Sequence, residues 1–264
     1  MLYQLLAKHP QVGYPQTRTL KPREGTDFWW RIFGKHRGVM GASLASPKRA
    51  NQICSQYAGL LETQRKLRLL DKMPFMILWI PLVNEIFPAA RHLHIIRDGR
   101  AVVNSILFKL RDSKNEKHRQ FQDEKILYGP HPPELINPMA QPQAQRHTRQ
   151  WLQLVTHGQQ NKNLLSERYF EVRYEDLVDD PQKVMKQVLD HAQLDYNEQF
   201  ITESYPAELV NRNYKWQSSE QLKVSDSFSV QKSIRDEDLF YLEEMIPLLH
   251  SLGYLLLQPA DEHE

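Results

Sequence analysis

Residues 91–110 constrain the fold most, because an apolar stretch there passes through a charged turn into a helical pattern. The pattern predicts a buried strand over 91–97, a turn at Asp98 and Gly99, and a helix over 101–110. A strand that leads directly into a helix is typical of a parallel sheet, since parallel neighbours need a crossover connection. The segment therefore favours an α/β fold.

The rest of the chain repeats this alternation. Strands are predicted at 67–70 and 169–174, and helices at 47–66, at 75–87 with a kink at Pro81, from Pro181 onward and at 236–251. We therefore predict an α/β fold with a mostly parallel sheet and helices on both faces. At 264 residues, the chain fits a single domain over 1–264.

Composition excludes several classes of protein. The 34 basic and 32 acidic residues leave a net charge of +2, which is small for a general nucleic-acid binder. A single cysteine, Cys54, excludes a disulfide framework and a zinc site built on several thiolates. No stretch has the roughly 20 apolar residues of a membrane span, and the opening residues lack a signal-peptide pattern. We therefore predict a cytoplasmic protein, provided that residue 1 is its natural start.

Arg97 and Ser105 are candidates for an anion site. Ligands of parallel α/β sheets bind beyond the carboxyl ends of the strands, and Arg97 stands at such an end. Its guanidinium can donate two parallel hydrogen bonds to a phosphate, and the Ser105 hydroxyl lies about two helical turns further on. An ion pair between Arg97 and Asp98 explains the same pattern. Both interpretations stay open on pattern alone.

Two further groups of polar residues have simpler interpretations. His92 and His94 share one face of the predicted strand, as a metal-binding pair would, but no third ligand accompanies them, so we predict no metal site. The basic and aromatic residues Arg146, His147, Arg149 and Trp151 are typical of a nucleic-acid surface. A solvated helix face that buries Trp151 explains them better, and we predict no nucleic-acid partner.

Several segments resemble a known family. Residues 95–105, with the sequence IIRDGRAVVNS, closely resemble the 3′-phosphate motif of sulfotransferases. Further matches, in register, are LAKHPQV at 6–12, the lysine-bearing loop DKMP at 71–74, FPAAR at 87–91, VRYEDLVDDP at 172–181 and LGY at 252–254. The similarity spans nearly the whole chain and is nearest to bacterial and tyrosylprotein sulfotransferases. It implies a P-loop nucleotide-kinase-like sulfotransferase fold.

The resemblance implies a co-substrate, 3′-phosphoadenosine 5′-phosphosulfate, and no metal. In the family motif an arginine and a serine eight residues later bind the 3′-phosphate, which assigns that role to Arg97 and Ser105. Tyr174, at the end of its predicted strand, is a candidate for contact with the adenosine. A core tyrosine is an equal alternative there.

The resemblance also implies two catalytic residues. Lys72 corresponds to the lysine that neutralises charge on the bridging oxygen as the sulfuryl group leaves, and a solvated surface lysine is the alternative. A general base must take the acceptor's proton. Glu24 resembles the glutamate that family members carry before an aromatic pair, and Asp27 and His36 are its rivals.

One family element is not found. The 5′-phosphosulfate loop, of the type PRSGTT, and the first strand should directly precede the opening helix, and residue 1 already lies inside that helix. Such a loop holds the phosphosulfate through its backbone N–H groups. We therefore expect an N-terminally truncated chain that lacks the first strand and the phosphate loop, with lowered stability and activity.

The sequence thus predicts a sulfotransferase that moves a sulfuryl group from this donor to a hydroxyl or amine of a small-molecule, glycan or peptide acceptor. The proline-rich segment 111–142 is predicted to be an acceptor-side loop or lid. A truncated, inactive relative that serves as a nucleotide-binding or interaction module is the first alternative. A nucleotide-dependent kinase is the second, although the chain has no GxxxxGK[ST] sequence.

Overall fold

The computed structural model describes residues 2–16, 24–111, 127–196 and 234–254. The helices are α1 (Leu2–Leu6), α2 (Thr26–Phe33), α3 (Pro47–Gln64), α4 (Ile80–Ile86), α5 (Gly99–Arg111), α6 (Gln143–Gln160), α7 (Lys162–Leu165), α8 (Tyr174–Asp179), α9 (Pro181–His191) and α10 (Ile246–Ser251). The strands are β1 (Val12–Gly13), β2 (Arg68–Leu69), β3 (His92–Ile96) and β4 (Tyr169–Arg173). Short 3₁₀ helices cover Ala42–Leu44, Pro74–Leu78, Pro138–Ala140, Ser166–Arg168 and Asp236–Met245. Residues 112–126 of the loop predicted at 111–142 lie outside the described residues.

The α/β class predicted from the sequence is confirmed. β1 and β2 are parallel, with Val12 opposite Arg68 and Gly13 opposite Leu69, and two helices, α2 and α3, lie between them in the chain. β3 pairs with β4, so the strands of the described residues form two two-stranded sheets. Within the described residues, no helix combines the length and apolar character needed to cross a membrane.

Two helices begin with a side-chain cap followed by a proline. The Ser46 hydroxyl accepts a hydrogen bond from the backbone N–H of Arg49 at 3.5 Å, and proline opens α3. A carboxylate oxygen of Asp180 accepts from the backbone N–H of Lys183 at 3.0 Å, and proline again opens the helix, α9. The N–H groups of a first helical turn lack partners within the helix, and each cap provides an acceptor for one of them. Proline suits this turn because it has no N–H that needs a partner.

Prolines divide two segments that were each predicted as one helix. A 3₁₀ helix covers Pro74–Leu78, and α4 starts separately at Ile80 with Pro81 in its first turn. In the same way, a 3₁₀ helix over Asp236–Met245 precedes α10, which has Pro247 in its first turn. The segment predicted at 75–87 is thus interrupted close to Pro81, where a kink was expected, and its first part is a 3₁₀ helix. The continuous helix predicted over 236–251 is wrong. Proline fits a first turn but removes a hydrogen bond from a helix interior.

The chain divides into two compact units, and each has its own core. The first unit comprises the described residues of 1–95 and 158–213, and the second those of 96–157 and 214–264. The prediction of one domain over 1–264 stays a prediction.

The core of the first unit joins α1, β4, α8 and α9. Buried apolar side chains from these elements pack together: Leu2, Leu5, Leu6, Val172, Leu177, Val184, Met185, Val188 and Leu189. On α9 the buried residues recur at the three- and four-residue spacing that the sequence shows, so one face of the helix covers the sheet. Amphipathic helices of this length are stabilised mainly by such burial.

The core of the second unit joins α5, α6 and the C-terminal helices. Its buried members are Ile96, Val103, Leu107, Ala144, Trp151, Val155, Ile234, Leu242, Met245, Leu249 and Tyr254. Gly99, the first residue of α5, allows this packing, because a Cβ there would lie 2.6 Å from the Trp151 ring and the Met245 sulfur. As predicted, α6 buries Trp151.

The beginning of α6 is buried, which corrects the prediction of a solvated face. Arg146 and His147 are each only 1% exposed. His147 Nδ1 lies 2.8 Å from the side-chain oxygen of Gln150, and the Gln150 amide nitrogen donates to the carbonyls of Tyr128 at 2.9 Å and Pro130 at 2.6 Å. These contacts hold the segment that starts at residue 127 against the helix, and that tertiary contact is what removes the polar side chains from solvent.

We expect Leu189→Ala to lower the free energy of unfolding by about 2–5 kcal/mol, because Leu189 is fully buried in the first unit's core and the change leaves a cavity. Urea denaturation measures the difference. Gln187→Ala, at an exposed position of the same helix, is the matched control and should change it by less than about 0.5 kcal/mol. Equal effects of the two changes would contradict this description of the core.

Candidate functional site

Arg97 lies where the sequence predicts, directly after β3, which ends at Ile96. Ser105 lies in the middle of α5, which starts at Gly99. Both side chains are partly buried. The strand, the turn and the helix therefore form the predicted βα unit, with the candidate anion-binding residues at the carboxyl end of the strand and on the helix that follows.

An ion pair between Asp98 and Arg100 braces the turn after β3. One carboxylate oxygen of Asp98 accepts from the backbone N–H of Arg100 at 2.9 Å and from its Nε at 3.0 Å. The other accepts from Nη2 at 2.5 Å. Both residues are less than 10% exposed. Arg100 thus balances the buried charge of Asp98, and the carboxylate also caps the start of α5.

The groups after β3 fit a phosphate by their chemistry. Arg97 carries a forked guanidinium, the side chain best suited to bidentate contact with a phosphate, and Ser105 carries a hydroxyl donor. The ion pair of Asp98 and Arg100 braces the turn that lies between Arg97 and the rest of α5. The joint contact of Arg97 and Ser105 with a phosphate stays a prediction.

The first unit brings Lys72 and Glu24 together, although 48 residues separate them in sequence. Lys72 Nζ lies 2.5 Å from a carboxylate oxygen of Glu24, and the two side chains are 49% and 39% exposed. Glu24 stands just before α2, and Lys72 stands between β2 and the 3₁₀ helix at Pro74–Leu78. A cation and a carboxylate are thus held side by side at the surface. An exposed ion pair of this kind contributes only about 0–1 kcal/mol, so it does not hold the two segments together by itself.

A polar network lies directly beneath this pair. One carboxylate oxygen of Asp71 accepts hydrogen bonds from the backbone N–H groups of Gly25 at 2.8 Å and Lys72 at 2.7 Å. The other accepts from the Tyr57 hydroxyl, which in turn accepts from the Trp29 indole N–H at 2.7 Å. Burial raises the pKa of the Asp71 carboxyl, which its hydrogen bonds oppose, and burial together with the Asp71 charge raises the pKa of the Tyr57 hydroxyl.

Aromatic contacts join the same two segments. The rings of Trp30, on α2, and Phe75, three residues after Lys72, have centroids 6.2 Å apart. Phe75 stacks on Trp79 at 5.9 Å, and Trp79 packs against Trp29 at 5.8 Å. These ring contacts therefore pack the 3₁₀ helix that follows Lys72 against α2, the helix that follows Glu24.

The remaining candidates are Asp27, His36 and Tyr174. Asp27 is exposed on α2, and His36 is exposed in the loop that follows that helix. Tyr174 is partly buried as the first residue of α8, directly after β4, where the sequence places it. Among these carboxylates and the histidine, Glu24 is the group in contact with Lys72, and its role as a base stays a prediction.

His94 takes part in a network of side chains in the first unit. Its Nδ1 lies 2.6 Å from the Tyr169 hydroxyl, which donates to Glu171 at 3.2 Å, and Lys162 pairs with Glu171 at 2.9 Å. Burial lowers the pKa of His94 to about 4. The described residues contain no group of three or more His, Cys, Asp or Glu side chains arranged to hold a metal ion.

Comparison with known proteins assigns the family. A sequence profile described as the sulfotransferase family matches residues 1–198. The chain belongs to the sulfotransferase family. It is 42% identical, over 40 residues, to the "Putative protein-tyrosine sulfotransferase" of Caenorhabditis elegans, a match that spans 15% of the length of each chain. Mouse sulfotransferase SULT7A1, solved as a complex with PAP, is similar in structure, with a TM-score of 0.39, 13% identity and coverage of 95% of this chain and 88% of that one.

Sequence reasoning missed the network beneath the Glu24–Lys72 pair. Asp71 is adjacent to Lys72 in the DKMP loop, and that adjacency is the one signal that could have pointed to it. Tyr57 looks like an ordinary core residue of the helix predicted over 47–66, and Trp29 lies in a stretch where no helix was predicted. Only the tertiary structure shows that their polar atoms converge on one carboxylate.

We expect His94 to make stability dependent on pH. Its folded-state pKa of about 4 lies below the ordinary value of 6.5, so between these values the unfolded chain binds a proton that the folded chain does not. Stability should therefore fall as the pH falls below 6.5, by about 1.4 kcal/mol per pH unit from this residue alone.

The measurement is urea denaturation at pH 7 and pH 5 for the natural protein and for His94→Gln, which keeps a group able to bond Tyr169. The variant should lose about 2 kcal/mol less than the natural protein between the two pH values. The same loss in both proteins would show that His94 is not held neutral by burial.

Proposed function

We propose that this chain transfers a sulfuryl group from 3′-phosphoadenosine 5′-phosphosulfate to a hydroxyl or amine acceptor. The observation that carries the proposal is the contact of Lys72 with Glu24 in a chain of the sulfotransferase family. The reaction needs a cation for the leaving oxygen and a base for the acceptor's proton. These two residue types lie side by side on segments that the family resemblance assigns to both tasks.

In this proposal the nucleotide is bound by residues after two strands. Arg97 pairs with the 3′-phosphate and Ser105 donates its hydroxyl to the same group, supported by their places after β3 and on α5. Tyr174, directly after β4, contacts the adenosine. The brace between Asp98 and Arg100 keeps the turn from rearranging when the anion binds.

The chemical step breaks the bond between the sulfur and the bridging oxygen of the donor and forms a bond from sulfur to the acceptor. Lys72 stabilises the negative charge that develops on the bridging oxygen, and Glu24 takes the proton of the acceptor hydroxyl or amine. The products are the sulfated acceptor and 3′,5′-bisphosphorylated adenosine. Because the transition state is loose, the residues act mainly by position and charge.

A direct test uses the donor labelled in its sulfur and a panel of phenols, sugars, amines and tyrosine peptides. Transfer of label to one class, with release of equimolar bisphosphorylated nucleotide, supports the proposal and names the acceptor class. Nucleotide binding by calorimetry without transfer to any member would instead favour the inactive, nucleotide-binding alternative.

We expect Arg97→Ala to weaken binding of 3′,5′-bisphosphorylated adenosine by about 2–5 kcal/mol, because the phosphate loses its charged partner. Isothermal titration calorimetry measures the affinity. Lys109→Ala removes an exposed positive charge from α5, the helix that follows Arg97, and should leave the affinity within about twofold. Similar losses of affinity in both variants would show that Arg97 contributes only general positive charge and no specific contact with the phosphate.

We expect Glu24→Gln to lower kcat by about 100-fold or more, while the affinity for the nucleotide changes little, because a base acts on the acceptor. Steady-state kinetics and calorimetry on the same protein separate the two effects. Glu85→Gln, at an exposed position of α4, is the control and should retain full turnover. Unchanged turnover in Glu24→Gln would remove Glu24 as the base and leave Asp27 and His36.

A further inference from the structure

Asp71 accepts hydrogen bonds from the backbone of both segments that carry the Glu24–Lys72 pair. One of its carboxylate oxygens accepts from the backbone N–H of Lys72 itself and from that of Gly25, the neighbour of Glu24. These bonds are 2.7 and 2.8 Å long, typical of charge-assisted hydrogen bonds to a carboxylate. A single oxygen atom therefore joins two segments that are remote in sequence. It binds the backbone of Lys72 itself and the backbone of the residue next to Glu24.

The second oxygen of Asp71 anchors this junction to the interior. Tyr57, on α3, donates its hydroxyl to that oxygen, and Trp29, on α2, donates its indole N–H to the Tyr57 hydroxyl. Trp29 and Tyr57 are 1% and 3% exposed. The carboxylate is thus held by a buried chain of hydrogen bonds, which leaves it little freedom to turn.

Gly25 is a glycine because of this carboxylate. A Cβ at residue 25 would lie 2.2 Å from one carboxylate oxygen of Asp71 and 2.8 Å from the other, so no side chain fits. The carbonyl of Gly25 also accepts from the backbone N–H of Phe28 at 2.9 Å, which starts α2. Both polar groups of the residue after Glu24 are therefore engaged.

The ion pair cannot supply this order itself. The side chains of Lys72 and Glu24 are 49% and 39% exposed, and exposed pairs between flexible side chains are weakly held. Displacements of about 1 Å at a catalytic group cost as much as about 100-fold in rate. The backbone on which the pair stands must therefore be positioned by something more rigid.

We propose that Asp71 is a positioning residue, which holds the segments of Glu24 and Lys72 so that the pair is in place before substrates bind. This inference rests on the proposed function for its effect on turnover. Asp71 does not touch the substrates in this proposal. It acts through the two backbone N–H groups that it binds.

The test compares three changes in the full-length protein. Asp71→Ala removes both acceptors, Asp71→Asn keeps an oxygen that accepts from the two backbone N–H groups, and Tyr57→Phe removes only the interior anchor. Val188→Ala, in the core formed with α9, is the control for lost stability alone. All rates are expressed per folded molecule, with the folded fraction taken from urea denaturation.

We expect Asp71→Ala to lower kcat by about 100-fold with the KM for the donor within about twofold. The kcat of Asp71→Asn should be at least about tenfold higher than that of Asp71→Ala. The kcat of Tyr57→Phe should lie between those of the natural protein and Asp71→Ala. Val188→Ala should keep full turnover per folded molecule. Turnover in Asp71→Ala equal to that in Val188→Ala would overturn the inference, as would failure of Asp71→Asn to recover any rate.

Hydrogen exchange of the Gly25 and Lys72 amides decides the matter independently of activity. Their protection should fall by about tenfold or more in Asp71→Ala and stay near the natural level in Asp71→Asn. Unchanged protection in Asp71→Ala would overturn the inference even in an active enzyme. If instead Glu24→Gln and Lys72→Ala leave turnover unchanged, or the natural protein shows none, the proposed function fails, and exchange alone then tests whether Asp71 holds the two segments.

Discussion

A carboxylate taken out of water must find hydrogen-bond donors, and in the first unit the carboxylate of Asp71 finds them on three separate elements. It binds the backbone N–H of its own neighbour Lys72, the N–H of Gly25 before α2, and the hydroxyl of Tyr57 on α3. The loop after β2 and the start of α2 consequently meet at one point. The contact between Glu24 and Lys72 exists because this meeting point exists.

The second unit satisfies a buried carboxylate in a local way. The two carboxylate oxygens of Asp98 accept hydrogen bonds from the guanidinium and the backbone N–H of Arg100, two residues further on. The bonds shape the turn that follows β3, and Gly99 lets that turn pack against Trp151 and Met245. The same electrostatic requirement thus produces a turn brace in one unit and a tertiary junction in the other.

Much of the fold could be predicted because it follows from local pattern. The α/β class, the strand and helix around residues 92–111, and the caps at Ser46 and Asp180 all depend on neighbours within a few positions. One error arose where a distant contact decides, since Arg146 and His147 look solvated in sequence and are buried. Another is local, because the helix predicted over 236–251 is divided where Pro247 opens a new helix. Periodicity indicates which face is apolar and does not show what covers the opposite face.

The sequence by itself determined the family, the strand–turn–helix unit and the place of Arg97 at a strand end, because turn residues and periodicity act over short distances. It also supplied Glu24 and Lys72 as candidates through resemblance to sulfotransferases. Only the tertiary structure decided that these two meet at 2.5 Å and that Asp71 lies beneath them. The contact spans 48 residues of chain, and the hydrogen bonds that support it run from side chains to backbone atoms through space, so no sequence spacing records them.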